Sequence, residues 1–133
     1  VNIPGSAPCP CGLAQTYERC CGRLHADPGA AAGTAEALMR SRYSAFVVMD
    51  EGYLLRTWHS RTRAPRIGFD PEQRWTGLDI VATSEGGMLH PSGTVEFRAH
   101  YKVGGVRGSQ HEVSRFVRED GRWVYLGEAD DEA

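Results

Sequence analysis

Lysine is nearly missing from these 133 residues: Lys102 stands alone, and the other basic side chains are arginines. The 15 bases face 17 acids, and four of those acids (Glu128, Asp130, Asp131 and Glu132) crowd the last six positions. Without them 13 acids remain, a balance of +2, which is too small to mark a phosphate-binding surface by bulk charge. Long apolar runs are missing too. Ala45-Phe46-Val47-Val48-Met49 is the longest without charge, far short of a membrane span. The start of the chain shows no basic segment followed by an apolar one, so no secretory signal is read and a cytoplasmic protein is expected. Internal repeats, a phosphate-cradling glycine loop, a Ser/His/Asp order and a second metal-type cluster are all lacking. Cysteine is absent from everything after position 21.

What cysteine there is lies in one place. Cys9, Cys11, Cys20 and Cys21 fall within thirteen residues, spaced C-x-C-x₈-C-C. Two close thiol pairs in a chain without an export signal favour a metal over disulfides or redox thiols. Zinc is the natural ion, because four thiolates satisfy its tetrahedral preference and leave no open position for chemistry. Gly12 and Gly22 supply backbone freedom for the sharp turns that adjacent ligands need. His25 is an alternative fourth ligand. Residues 1–25 hold too few apolar side chains to fold unaided, so a closed structural centre would organise them.

The remainder reads as helices first and strands afterwards. Arg23 to Gly33 is a connector. Thr34 is a hydroxyl N-cap, Glu36 sits in the first turn where the helix dipole favours an acid, and Ala35–Val48 carries one apolar stripe. Arg40, Ser41 and Ser44 lie off that stripe or at its edge. A short second helix covers Asp50–Thr57. After an irregular, arginine-rich stretch come strands at Trp75–Thr83, Thr94–Val103, Ser109–Glu119 and Trp123–Leu126. The second alternates Val95, Phe97, Ala99, Tyr101 and Val103 against polar residues. Asp120-Gly121 signals a two-residue hairpin that pairs Phe116 with Tyr125 and Arg118 with Trp123. This order means α+β.

Cys9-Pro10-Cys11-Gly12, Tyr17 and Cys20-Cys21-Gly22 together resemble the SEC-C motif, the zinc-binding element also found at the C-terminus of the SecA translocase. The likeness extends over essentially the whole chain. Leu38-Met39-Arg40-Ser41-Arg42-Tyr43-Ser44-Ala45-Phe46, Thr57-Trp58-His59, the Trp75 strand, Val95-Glu96-Phe97, His111-Glu112-Val113-Ser114-Arg115-Phe116 and Gly121-Arg122-Trp123-Val124-Tyr125 are similar to the YchJ family (UPF0225). That resemblance implies a zinc motif at residues 1–25 and an NTF2-like cone of helices on a curved antiparallel sheet at 34–127; the acids at the end of the chain make 128–133 an acidic tail. It implies no particular activity. Leu13-Ala14-Gln15-Thr16 replaces the basic Ser-Gly-Lys-Lys-like segment usual in SEC-C motifs. A docking role like that of SecA's motif on the acidic chaperone SecB therefore loses its basic patch.

Arg42 falls inside the apolar stripe, which predicts a buried guanidinium needing a carboxylate partner, Glu112 first and Glu96 second. It reads as a structural ion pair, as an anchor for an anionic ligand, or as an edge arginine that snorkels. Glu112, Ser114, Phe116, Trp123 and Tyr125 should share one side of the sheet. An acid, a hydroxyl and three aromatics suit a small-molecule pocket and equally a sheet-to-helix core. Trp58-His59 closes the second helix, and His59 with Glu112 is the candidate acid/base pair of a lyase or isomerase. Arg61, Arg63 and Arg66, interleaved with Trp58 and Phe69, read as a solvated loop before they read as a nucleic-acid contact. The leading expectation is a non-catalytic cytoplasmic zinc protein that binds a small ligand or a protein partner through its cone, with homodimerisation left open. A cone enzyme and a translocation-linked adaptor are the alternatives.

Overall fold

The computed structural model describes residues 3–129; of the acidic tail, residues 130–133 lie outside the described residues. A 3₁₀ turn at Tyr17–Arg19 leads into α1 (Cys21–Ala26), followed by α2 (Ala35–Val48) and α3 (Glu51–Arg56). Four strands follow: β1 (Gln73–Glu85), β2 (Ser92–Val103), β3 (Val106–Glu119) and β4 (Arg122–Glu128). They form one antiparallel meander in the order β1-β2-β3-β4. The α+β expectation holds. The strands begin and end two or three residues beyond most of the expected limits, and Glu128 belongs to β4 rather than to a tail.

Local chemistry explains the boundaries. Thr34 Oγ1 accepts the Ala37 N–H at 3.1 Å, and Asp50 Oδ1 accepts the Tyr53 N–H at 3.0 Å, so α2 and α3 both start on side-chain caps. Met49 adopts a left-handed backbone (φ 59°) that ends α2 and turns the chain into α3. Asp120 and Gly121 both have positive φ, the geometry of a tight hairpin, and Phe116 faces Tyr125 while Arg118 faces Trp123, as the loop length predicts.

The core lies between α2 and the inward faces of β2, β3 and β4. Leu38, Met39 and Tyr43 meet Val95, Phe97, Ala99, Phe116 and Trp123 there. The opposite side of α2 is not free. Ser41 and Ser44, which the helical pattern places off the buried stripe, are fully inaccessible because α3 and the cysteine knot with α1 cover that side. Ser41 Oγ lies 2.6 Å from Tyr53 Oη, and Ser44 Oγ lies 3.7 Å from Cys9 Sγ. Arg40 Nη1 donates to Cys11 O at 2.7 Å. α2 is therefore the axle between two layers, with the sheet on one side and the knot on the other.

Candidate functional site: a cysteine centre and a cavity in the cone

The knot is built by backbone turns. Gly12 N donates to Cys9 O, Cys9 N to Gln15 O and Tyr17 N to Ala7 O, so the first cysteine pair sits in a closed loop. Gly12 has φ +92°, a conformation that a side chain would strain. Gly22 serves differently: a Cβ there would meet the Tyr17 carbonyl at 2.6 Å, so close approach is what requires glycine. The four sulfurs all lie within 4.8 Å of one another. Cys11 Sγ and Cys20 Sγ are 3.7 Å apart, too far for a disulfide. That spacing matches the edge of about 3.8 Å of a tetrahedron with metal–sulfur bonds of about 2.3 Å.

The thiols compete for protons. Hydrogen bonds from Cys11 and Cys21 hold Cys9 low, the same crowding pushes Cys21 up, and burial pushes Cys20 up to about 12. A cation that takes four thiolates removes this competition. His25 is not among the sulfur cluster's partners. Its Nε2 donates to Ser41 O at 2.9 Å, which leaves Nδ1 to accept from Tyr17 Oη at 2.5 Å. Both ring nitrogens are used, so His25 supports the knot from α1 and does not replace a cysteine. The donor set fits a closed four-thiolate centre.

The second feature is a cavity of about 250 Å³ between α2 and the sheet. Its wall is largely aromatic: Tyr43 and Phe46 from α2, Trp75 from β1, Phe97 from β2, Tyr125 from β4 and Trp58 from the segment after α3. Arg42, Glu112, Ser114 and Gln110 supply its polar groups. Trp58 is held by a short bridge to the sheet, in which Tyr125 N donates to Thr57 O and His59 N donates to Tyr125 O, both at 2.8 Å. No pattern in an irregular segment announces such a bridge.

Arg42 is buried, at 6% exposure, but not by the expected partner. Among the described residues no ion pair joins it to a carboxylate. Its Nη1 instead donates to Leu54 O at 2.8 Å and Thr57 Oγ1 at 2.7 Å. The guanidinium lies over the Tyr125 ring, 4.8 Å from its centroid, and 5.9 Å from that of Trp58. Burial pulls its pKa down to about 10, so it keeps its charge at neutral pH. Glu112 Oε2 accepts from Ser114 Oγ at 2.6 Å and Tyr125 Oη at 3.1 Å. Burial first, and Glu112 next, push the Tyr125 phenol well above its usual value, keeping it a donor. The Tyr125 ring thus stands between the two groups expected to pair. Glu96, the second choice, binds His111 Nε2 at 2.6 Å instead.

Other candidates separate from the cavity. His59 does not line it: Nδ1 accepts from Arg61 N, and Nε2 lies 3.8 Å from Glu119 Oε2. The expected His59–Glu112 acid/base pair is not assembled. Phe116 is wholly buried, and Trp123 donates Nε1–H to Gly33 O at 3.2 Å under the Arg118 guanidinium, so both are core residues. Met39, Tyr43, Phe46, Trp75, Phe97, Ala99 and Gln110 also line the cavity, beyond the residues expected there from the sequence. Alternation marked several of them as inward-facing, but an inward face does not tell filling from lining.

Residues 34–128 match the model of the YchJ middle NTF2-like domain, and residues 6–23 match the SEC-C motif. The chain belongs to the YchJ family. A UPF0225 protein of Streptomyces coelicolor is 60% identical over 118 residues, covering 89% of this chain and 91% of that protein. One from Cupriavidus metallidurans is 48% identical over 128 residues, covering 92% and 88%. Among solved structures, a SEC-C motif containing protein from Rhodopseudomonas palustris superposes with a TM-score of 0.79 at 35% identity, over 93% of this chain and 98% of that one. Another from Psychrobacter arcticus gives 0.76 at 27% identity, over 97% and 84%. The fold of this YchJ-family chain is thus shared with both solved structures over more than nine-tenths of its length. No helix among the described residues is long and apolar enough to cross a membrane.

Proposed function

We propose that this YchJ-family protein is a zinc protein whose four-thiolate centre is structural and whose NTF2-like cavity binds a small organic ligand without transforming it. The observation that carries the reading is the buried Arg42 guanidinium, which lines an aromatic cavity and, among the described residues, makes no ion pair with a carboxylate. Such a charge is costly in a purely structural role, and a ligand supplies the missing counter-group. The separation of His59 from Glu112 removes the acid/base pair that an enzyme reading needs. Four cysteines kept as thiolates suit a reducing compartment, which supports a cytoplasmic location. Arg63 and Arg122 are turned onto the Trp58 and Pro28 carbonyls, which argues against a phosphate-binding surface.

A cavity-filling substitution tests the reading. Ala99 lines the cavity and is 4% exposed. In Ala99→Leu the added methylenes enter existing space, so thermal stability should hold. Small molecules that raise the wild-type melting temperature in a screen should lose that effect. Hits that stabilise both proteins equally would place binding elsewhere and contradict the proposal.

A further inference from the structure

The cavity's polar groups are unevenly spent. Trp58, one of its walls, keeps Nε1–H fully buried with no hydrogen-bond partner. The hydrogen bonds of Arg42 with described residues leave from Nη1, so Nε and Nη2 remain as donors. Trp58 and Arg42 are neighbours, with the guanidinium carbon 5.9 Å from the indole ring centre. An orphaned donor on one wall residue and a cation without an ion pair on its neighbour point to an anion-accepting end. Beyond the Tyr125 ring, Glu112 offers the opposite chemistry. Its Oε2 is taken by Ser114 and Tyr125, and Oε1 remains as an acceptor for a ligand N–H or O–H. The remaining wall is aromatic and aliphatic.

Resting on the small-ligand reading above, we infer that the cavity selects a compact aromatic monocarboxylic acid carrying a hydroxyl or amino group at its far end. The carboxylate accepts from Arg42 and Trp58 Nε1, the ring packs among the aromatic walls, and the far-end donor reaches Glu112. Size agrees. A cavity of about 150 Å³ takes one benzene, so about 250 Å³ takes a substituted ring and little more. A phosphate monoester fits less well, since among the described residues Arg42 is the one Arg or Lys lining the cavity and its second charge would find no counter-charge there. A neutral aromatic would leave Arg42 unpaired. An aromatic amine without an acid would satisfy Glu112 but not the buried cation.

Calorimetric titration of the metal-loaded, full-length chain with three probes tests this: 4-hydroxyphenylacetate, phenylacetate and the neutral alcohol 4-(2-hydroxyethyl)phenol. The first should bind at least about tenfold more tightly than the alcohol, as a charge-assisted contact requires. Trp58→Phe removes an N–H that no protein group uses, so the protein should fold normally while both acids lose about tenfold in affinity. Glu112→Gln should weaken the hydroxylated acid relative to phenylacetate and leave phenylacetate unchanged. If the alcohol binds as well as the acids, or Trp58→Phe binds them unchanged, the ligand class is wrong although the small-ligand reading survives. If none of the three probes binds, the inference falls, and the Ala99→Leu screen decides separately whether the cavity is a site at all.

Discussion

Arg42 and Glu112 show how a residue can be placed correctly and its partner misassigned. Helical spacing put Arg42 in the apolar stripe, and strand alternation put Glu112 on the facing side of the sheet; both side chains line the cavity. Instead of pairing directly, both engage Tyr125, whose ring receives the guanidinium and whose hydroxyl serves the carboxylate. Which of several nearby groups takes a charge depends on ångström-scale geometry that periodicity does not carry. Glu112→Gln should therefore cost less than about 1 kcal/mol in urea unfolding, since the amide oxygen can still accept from Ser114 and Tyr125. A loss of several kcal/mol would reveal a charge partner that the geometry does not show. His25 yields a pH prediction. Burial lowers its pKa, so the unfolded chain takes up a proton below about pH 6.5 that the folded chain refuses. Its contribution is complete above about pH 6.5 and declines as pH falls toward the lower folded value. In His25→Gln that decline is absent, so the stability gap between wild type and variant should narrow on acidification. The thiolates titrate in both proteins and cancel in the difference. A gap independent of pH would show that His25 titrates normally when folded.

Among the elements, α2 was the most legible from its residues and the most underestimated. Its cap, its limits and its core stripe follow from Thr34, Glu36 and the apolar spacing. The burial of Ser41 and Ser44 does not, because small hydroxyl residues look like a solvated edge until another layer covers them. That layer is the knot, bound through Arg40 to Cys11 O and through His25 to Ser41 O, together with Tyr53 of α3 against Ser41. The strands were legible because alternation and the Asp120-Gly121 turn fix their register at one end. The Trp58–Tyr125 bridge was not, since it joins an irregular segment to an edge strand. Because Thr34 Oγ1 satisfies the Ala37 N–H, Thr34→Ala should cost about 1 kcal/mol, read from the shift of the urea midpoint at unchanged slope. An unchanged midpoint would mean that the cap adds nothing to a helix already clamped on two sides.

At the scale of the whole molecule, the two features divide the work. The cysteine centre holds residues 3–26 against the back of α2, and the front of α2 shapes the cavity with the sheet. The clustering of the four cysteines was legible because cysteine is so scarce and its spacing so tight. The cavity was legible only as a set of inward-facing aromatics, because whether side chains fill a space or border one depends on volumes that no sequence pattern encodes. On the proposed reading chemistry at the knot is disfavoured, because four cysteines that held a tetrahedral ion would close it to substrate and water. The most direct test of that division is X-ray absorption at the zinc edge, with metal content, on protein purified under reducing conditions and offered zinc. A closed structural centre predicts about one zinc per chain, surrounded by four sulfurs at about 2.3 Å and no lighter scatterer. A nitrogen or oxygen in the first shell, or four titratable thiols with no metal bound, would contradict it.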